Sequence, residues 1–273
     1  MFRKDLDIAV DWAAREGWNP GLNDADAFYA ADPGGFFMAF DRDEPIGSIS
    51  AVAYGDGFGF VGFFIVKPEY RGHRIGIDLA RQAFGRLGSR NIGADGVENK
   101  MANYQTHGFR LAYHNLRYRR MAQPAGFSVP HIRPIDTVPF ESIARYDARC
   151  FPAPRDEFLK RWLKLPDSRA VAWLRNDELK GYAMIRKCGV GYKFGPLFAD
   201  DETIAAELFA FLESTVEAGA PLFLDIPEPN RQAMALGKKL GMTPVFGTAR
   251  MYNREFPSID VNRIFGVTSF ELG

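Results

Sequence analysis

Cysteine is scarce in this 273-residue chain: Cys150 and Cys188 are the whole complement, and neither has a CxxC partner. That is the signature of neither a disulfide framework nor a thiolate zinc site. Histidine is little commoner. His73, His107, His114 and His131 are scattered without ligand spacing, so no metal is expected. No apolar run approaches the ~20 residues that span a bilayer, and no membrane partner is expected. An excess of either charge is also missing. Thirty-four basic side chains balance 34 acidic ones, so nothing global attracts nucleic acid or an anionic surface. The first residues, MFRKDLDIAVDWAAREG, are amphipathic and carry acids, unlike a secretory leader. A reducing cytoplasm is the expected compartment. The basic loop at Arg71–Gly76 lacks two phosphate-binding signatures: no Gly-Lys-Ser/Thr follows as in a Walker loop, and the G-x-G-x-x-G spacing is missing there.

What is present is an ordinary folded composition, 47% hydrophobic and 25% charged, long enough for one large domain or two small ones. Periodicity predicts helices over Asp5–Glu16 and Asp24–Ala30, then strands over Phe36–Phe40, Ile46–Tyr54 and Phe58–Val66. A helix over Ile75–Leu87, a strand over Ile92–Val97, a short helix over Met101–His107 and a strand over Phe109–Arg119 follow. Met121–Pro130 has the prolines and small residues of a linker. The pattern then restarts. Helices are expected at Phe140–Phe151, Asp156–Lys164, Asp200–Ala218 and Arg231–Leu240, with strands at Ala170–Arg175, Gly181–Lys187 and Leu222–Ile226. The matching order suggests internal duplication, with domains at 1–120 and 131–273 around the 121–130 linker, each a mixed α/β fold.

The informative segment is Phe64-Ile65-Val66-Lys67-Pro68-Glu69-Tyr70-Arg71-Gly72-His73-Arg74-Ile75-Gly76. A strand ends, Pro68 stops it, and a basic glycine-containing loop opens a helix. Free amides at a helix start favour an anion, and Arg71, His73 and Arg74 add positive potential. On spacing alone, a pyrophosphate cradle and an ordinary basic turn are equal readings. These residues resemble the GNAT N-acetyltransferases, whose segment reads aliphatic-x-Val-x-Pro-x-Tyr-Arg-Gly-x-Gly-Ile-Gly. Val66, Pro68, Tyr70, Arg71, Gly72, Ile75 and Gly76 match; Arg74 stands where the family usually has glycine. Tyr104-Gln105-Thr106-His107-Gly108-Phe109 resembles a second family segment, in which a helix tyrosine precedes Gly-Phe, although the family's Asn-x-x-Ala run is out of register.

The resemblance implies tandem GNAT-like domains that use acetyl-CoA as co-substrate. It implies that Phe64–Val66 and Arg71–Gly76 bind the cofactor where two parallel strands splay, and that an amine attacks the thioester directly. Tyr104 is then the acid for the leaving thiolate. Its alternative is a tyrosine packed on the sheet. Trp18 and Asn19, in the loop between the first two helices, border the acceptor site by the same resemblance, and a core tryptophan at a helix end is the competing reading. Glu16, Asp56 and Glu98 are candidate bases among which the sequence does not choose. In the second half, Asn230-x-x-Ala233-x-x-Leu236 and Gly241-Met242 resemble the tyrosine-bearing helix, but the tyrosine position is Gly237. Tyr192–Asp201 stands in place of the phosphate loop, and Asp200 and Asp201 oppose an anion. This half is read as catalytically degenerate. The tail Ile264–Gly273 resembles the endings of bacterial tandem GNAT proteins and is expected to be a closing strand. The expected function is N-acetyl transfer to a small primary amine, with a non-catalytic acyl-CoA-binding module as the alternative. Oligomeric state is left open.

Overall fold

A computed structural model of the protein describes residues 1–97, 101–126 and 130–273. Helix α1 (Arg3–Arg15) buries Leu6, Ala9, Trp12 and Ala13 along one stripe. Helix α2 (Asp24–Ala31) follows, then the antiparallel strands β1 (Phe36–Asp41), β2 (Glu44–Tyr54) and β3 (Phe58–Val66). Helix α3 (Ile75–Leu87) carries the chain to β4 (Asn91–Val97), which lies parallel to β3. Helix α4 (Met101–Thr106) and strand β5 (Arg110–Met121) complete the first half.

The second half repeats the order. It comprises β6 (Ile132–Pro134), α5 (Phe140–Cys150), α6 (Asp156–Trp162), β7 (Ser168–Arg175), β8 (Glu178–Lys187), β9 (Tyr192–Ala199), α7 (Glu202–Glu213), β10 (Pro221–Pro227), α8 (Arg231–Lys239), β11 (Thr243–Tyr252) and β12 (Ile264–Gly266). The strands join one sheet in the order β1-β2-β3-β4-β11-β5-β10-β9-β8-β7-β6, with β12 on β9. The order is close to a palindrome about the β11–β5 pair. Strand β11 of the second half lies between β4 and β5 of the first, while β5 pairs with β10 of the second. Each half thus lends its last long strand to the other.

One face of the sheet carries α1, α2, α5, α6 and the C-terminal tail, and its core runs unbroken through both halves, with Phe28, Phe63, Phe158, Trp162 and Leu272 together. The other face carries two separate cores, one under α3 and α4 and one under α7 and α8. Most predicted elements fall within two residues of those observed. Three differ. Residues 192–199 are not a loop but strand β9, so only Asp200 and Asp201 connect strand to helix. Helix α7 is shorter at both ends than the apolar pattern suggested, because Asp201 caps its start and Thr215 onward turns into the approach to β10. Met121 ends β5, and Ala122 is buried with its amide on the Ala220 carbonyl, 2.7 Å away. Composition had assigned both residues to a linker.

Candidate active site

The parallel β3–β4 ladder stops early. Its last pair is Val61 with Ala94, although β3 continues to Val66 and β4 to Val97. The cause is local. Phe63 adopts φ 46 and makes a bulge against β2, where Ser50 pairs with Gly62 but Ser48 with Ile65. Among the described residues no strand pairs with the far edge of 62–66, so the two strands splay.

The loop above this splay runs through a turn of 3-10 helix at Pro68–Tyr70 to Arg74, the N-cap of α3. Gly72 holds φ 82, a conformation that favours glycine. Among the described residues no side chain caps α3, so its first amides remain available as anion donors. Phe64 is partly exposed and leans on Gly76, where an added Cβ would meet its ring at 3.6 Å. Ile65 is buried in the core. Arg71 is less free than its sequence suggested. Its Nε donates to the Val66 carbonyl at 2.8 Å, and its Nη2 meets Glu16 Oε1 at 2.6 Å. It ties the loop to the end of α1. His73 Nδ1 lies 3.2 Å from the Arg71 carbonyl, and Arg74 extends into solvent near Asp78.

The equivalent place in the second half is closed. The β9–β10 ladder stops at Phe194 with Leu224, and β12 enters the gap. Ile264 and Gly266 pair with Phe198 and Leu197 of β9, and Val267 N donates to the Asp225 carbonyl of β10 at 2.9 Å. The start of α7 is also self-satisfied: Asp201 Oδ1 accepts from Ile204 N at 3.0 Å. Asp200 accepts from the Tyr146 hydroxyl at 2.8 Å and pairs with Arg263. The chain itself therefore occupies both the strand edge and the helix start.

Between the two splays lies a buried ionic layer with matching parts. Asp95 follows the last β3–β4 pair and holds Arg250 of β11 at 2.8 and 2.6 Å. Asp225 follows the last β9–β10 pair and holds Arg117 of β5 at 2.6 and 2.7 Å. The exchanged strands thus supply each half's arginine. Burial alone would raise the Asp225 carboxyl, and the Arg117 guanidinium more than reverses this, holding it below the usual carboxylate range. Arg186 takes Asp24 at 2.9 Å. Burial, helped by Arg117, lowers the ammonium of Lys193, which reaches the Trp18 carbonyl at 3.3 Å. The tail crosses this layer. An added Cβ would lie 2.3 Å from the Thr268 carbonyl at Gly195, and 1.9 Å from the Glu271 carbonyl at Gly62. At both glycines, one at each splay, the tail backbone packs directly on the sheet.

Tyr104 lies on the α3–α4 face, its ring edge-on to Phe109 at 5.5 Å, close enough to Gly96 that an added Cβ there would come within 3.0 Å. Burial, with Asp95 adding to it, pushes its hydroxyl up to about 12. Trp18 is half-buried against the shared core, and its carbonyl accepts from Arg117 Nη1 at 2.7 Å. Asn19 clasps the other half, donating to the Val190 carbonyl at 2.9 Å and accepting from Val190 N at 3.0 Å. Of the candidate bases, Glu16 is engaged by Arg71. Asp56 projects fully into solvent beside Arg90, and Glu98 lies outside the described residues. Sequence reasoning missed Arg117, Asp225, Lys193 and Glu271, because their proximity depends on strand order. A surface groove of about 800 Å³ lined by Arg3, Asp26, Tyr29, Lys160 and Arg161 shares no residue with the splay. No cluster that could hold a metal ion occurs among the described residues.

The sequence matches the Acetyltransferase (GNAT) family over residues 6–109 and an Acetyltransferase (GNAT) domain over residues 143–266. It is 28% identical over 270 residues to "Holothin acyltransferase" of Pseudoalteromonas sp. (strain SANK 73390), covering 99% of this chain and 92% of that protein. The fold is similar to a putative acetyltransferase from Pyrococcus horikoshii, with TM-score 0.84, 20% identity, and 100% and 94% of the two chains covered. It is also similar to a tandem GNAT protein from the clavulanic acid biosynthesis pathway, with TM-score 0.64, 14% identity, and 92% and 96% covered. With one match in each half and a sheet that repeats itself about its centre, the chain belongs to the GNAT acetyltransferase family as a tandem of two GNAT domains.

Proposed function

We propose that the first half binds acetyl-CoA, or a closely related acyl-CoA, at a single site and transfers the acyl group directly to a primary amine. The observation that carries this reading is the contrast between the two splays. The edge of β3 beyond Val61 is open beneath an uncapped α3, whereas the edge of β9 is taken by β12 and α7 is capped by Asp201. The residues of the first half fit the cofactor. The β3 edge over Gly62–Val66 would take the pantetheine arm as an added strand, and the amides from Gly72 to Gly76 would hold the pyrophosphate. Bound acyl-CoA supplies an activated acyl group as a thioester. The chain's own contribution is to hold that group and the amine together, exclude water, and move two protons.

Tyr104 is the proposed donor toward the departing sulfur. With its hydroxyl pushed up to about 12, tyrosinate does not accumulate at neutral pH. Tyr104 therefore acts as a relay, giving its proton to sulfur as it receives one from the new amide nitrogen. The second half builds the site and does not carry a second one: it contributes β11, the arginine partner of Asp95 and the tail. The full-length similarity to an enzyme named for acylating holothin supports a small-molecule acceptor, in a cytoplasmic setting as expected from the sequence. The test is calorimetry with acetyl-CoA on the intact chain, followed by thiol release over a panel of amines. One site per chain and amine-dependent release are expected. Two sites would overturn the contrast between the halves, and binding without release would favour a non-catalytic acyl-CoA-binding module.

A further inference from the structure

Glu271 is a buried carboxylate without a partner among the described residues. It is 2% exposed, and neither carboxylate oxygen has a hydrogen-bond partner among the described residues. Arg117, Arg186 and Lys193 all feel its charge, yet none of them forms an ion pair with it. The other carboxylates of the layer are committed: Asp225 to Arg117, Asp24 to Arg186 and the Gly21 amide, Asp95 to Arg250 and Asn115, Asp147 to Arg155. The Cys188 thiol is raised by burial and stays neutral. A buried carboxylate in this condition is costly unless some group donates to it.

The fold places the backbone of that residue at the open splay, with its carboxylate within reach of the Arg117, Arg186 and Lys193 charges. The Glu271 carbonyl packs on Gly62, the residue just beyond the last β3–β4 pair. The neighbouring Phe270 ring lies 6.2 Å from Phe246 of β11 and 4.9 Å from the Arg117 guanidinium of β5. Two residues along each of those strands, Thr248 and Asn115 face one another as direct cross-strand partners. Thr248 Oγ1 and Asn115 Oδ1 are also buried and unpartnered, while Asn115 Nδ2 is spent on Asp95 at 3.0 Å. Four unpartnered oxygens among the described residues therefore belong to the tail, β5 and β11, the elements that meet here, and one donor, Arg186 Nη2, is unpartnered as well. All four can accept a hydrogen bond. Their complement is a group with several donors and a positive charge, which describes a primary ammonium.

We propose that Glu271 receives the ammonium group of the acceptor and takes its proton, so that the second half's tail supplies the base for the first half's reaction. The inference rests on the acyl-transfer reading above. The ammonium gives one proton to the Glu271 carboxylate, which frees the nitrogen lone pair. That pair forms the C–N amide bond as the C–S bond breaks and its electrons leave on sulfur. The nitrogen's second surplus proton ends on sulfur through Tyr104, and Glu271 returns its proton to solvent. Tyr104 packs in the core under α3 and α4, whereas Phe270 and Leu272, the neighbours of Glu271, pack in the core of the opposite face, so the amine approaches from the tail side and the thiol departs toward α4.

The experiment is Glu271→Gln in the full chain, with three readouts. Calorimetric acetyl-CoA affinity should stay within about twofold, because the carboxylate serves the amine. Binding of butylamine to the CoA-saturated protein should weaken at least tenfold. Thiol release with amines that the wild type accepts should fall about 10²–10⁴-fold at neutral pH, the usual worth of general base catalysis, with the deficit shrinking as pH nears the amine's own pKa. Wild-type amine binding and turnover in a folded Glu271→Gln would overturn the proposal. Should that variant fail to fold, Glu271→Asp keeps the charge and withdraws the carboxylate. Reduced turnover with intact acetyl-CoA binding then supports the proposal. Wild-type turnover, or a second failure to fold, assigns Glu271 to the ion network instead. If the wild type itself binds no acetyl-CoA or accepts no amine, the acyl-transfer reading fails first, and that outcome is distinct from the others.

Discussion

Gly62→Ala would separate the tail from the cleft with a single methyl group. A Cβ at position 62 would stand 1.9 Å from the Glu271 carbonyl oxygen and 2.9 Å from its carbon. Real Cβ contacts stay beyond 3.0 Å, so strand and tail must part by at least about 1.1 Å, the difference between those figures. Neither side gives easily, since both contacting groups are backbone. Strand β3 is fixed by its ladder to β2. The tail is fixed by the Tyr54 hydroxyl on the Leu272 carbonyl at 3.1 Å, by Arg155 on the Gly273 carbonyl at 3.1 Å, and by the fully buried Leu272 side chain. Overpacking typically costs about 1–3 kcal/mol, and backbone on both sides places this case at the upper end, about 3 kcal/mol. For a chain of this size that lowers the melting temperature by roughly 6–10 °C. Gly85→Ala is the internal control: it lies in α3 with nothing within 4 Å of the added Cβ, and should stabilise by about 0.5–1 kcal/mol through helix propensity. Thermal melts of both variants check the reasoning, and limited proteolysis of the C-terminus reads the tail directly. A Gly62→Ala protein that melts with the wild type and keeps its tail protected would refute the packing described here.

Two further changes address the cofactor loop and the relay. Gly72→Asp should abolish acetyl-CoA binding, measured by calorimetry, while the melting curve shows only the ~1–2 kcal/mol of a non-glycine residue at φ 82, because a carboxylate there opposes the pyrophosphate. Tyr104→Phe should lower kcat about 10²–10⁴-fold with acetyl-CoA affinity unchanged. Because burial raises the Tyr104 hydroxyl to about 12, the donor stays protonated as pH rises. The wild-type rate should therefore show no falling limb from this group below about pH 11, and a limb near 10 that vanished in the phenylalanine variant would contradict the assignment. The same shift has a stability side. The native state holds this proton more tightly than the unfolded chain, so its contribution is complete below pH ~10 and is lost as pH climbs through ~12.

The interleaved sheet also changes how the halves can be studied. A fragment ending near residue 124 would lack β11, leaving β4 and β5 without the strand that joins them. Its failure to fold would say nothing about whether the second half lines the acceptor site. Point changes in the intact chain are the informative route.

The sequence by itself determined the elements and the cofactor loop, because both are written in short-range chemistry. Alternating apolar residues bring β3 to Val66, Pro68 forbids its continuation, Gly72 permits the left-handed turn, and the stripe through Leu79, Ala83 and Leu87 fixes the buried face of α3. Each of these signals operates over a few residues. The aspartates at 200 and 201 were also visible as unsuited to an anion, though not that one of them caps α7. Tertiary structure alone decided the exchange of β5 and β11, the filling of the second splay by β12, and the meeting of Glu271 with Gly62 across 209 positions of sequence. Strand pairing is settled by which edges remain free once the sheet forms, and local periodicity carries no record of that choice. The sequence assigned the tail a closing strand and no chemistry; the burial of Glu271 among three cations, with its backbone against Gly62, exists only after both halves have closed around the tail.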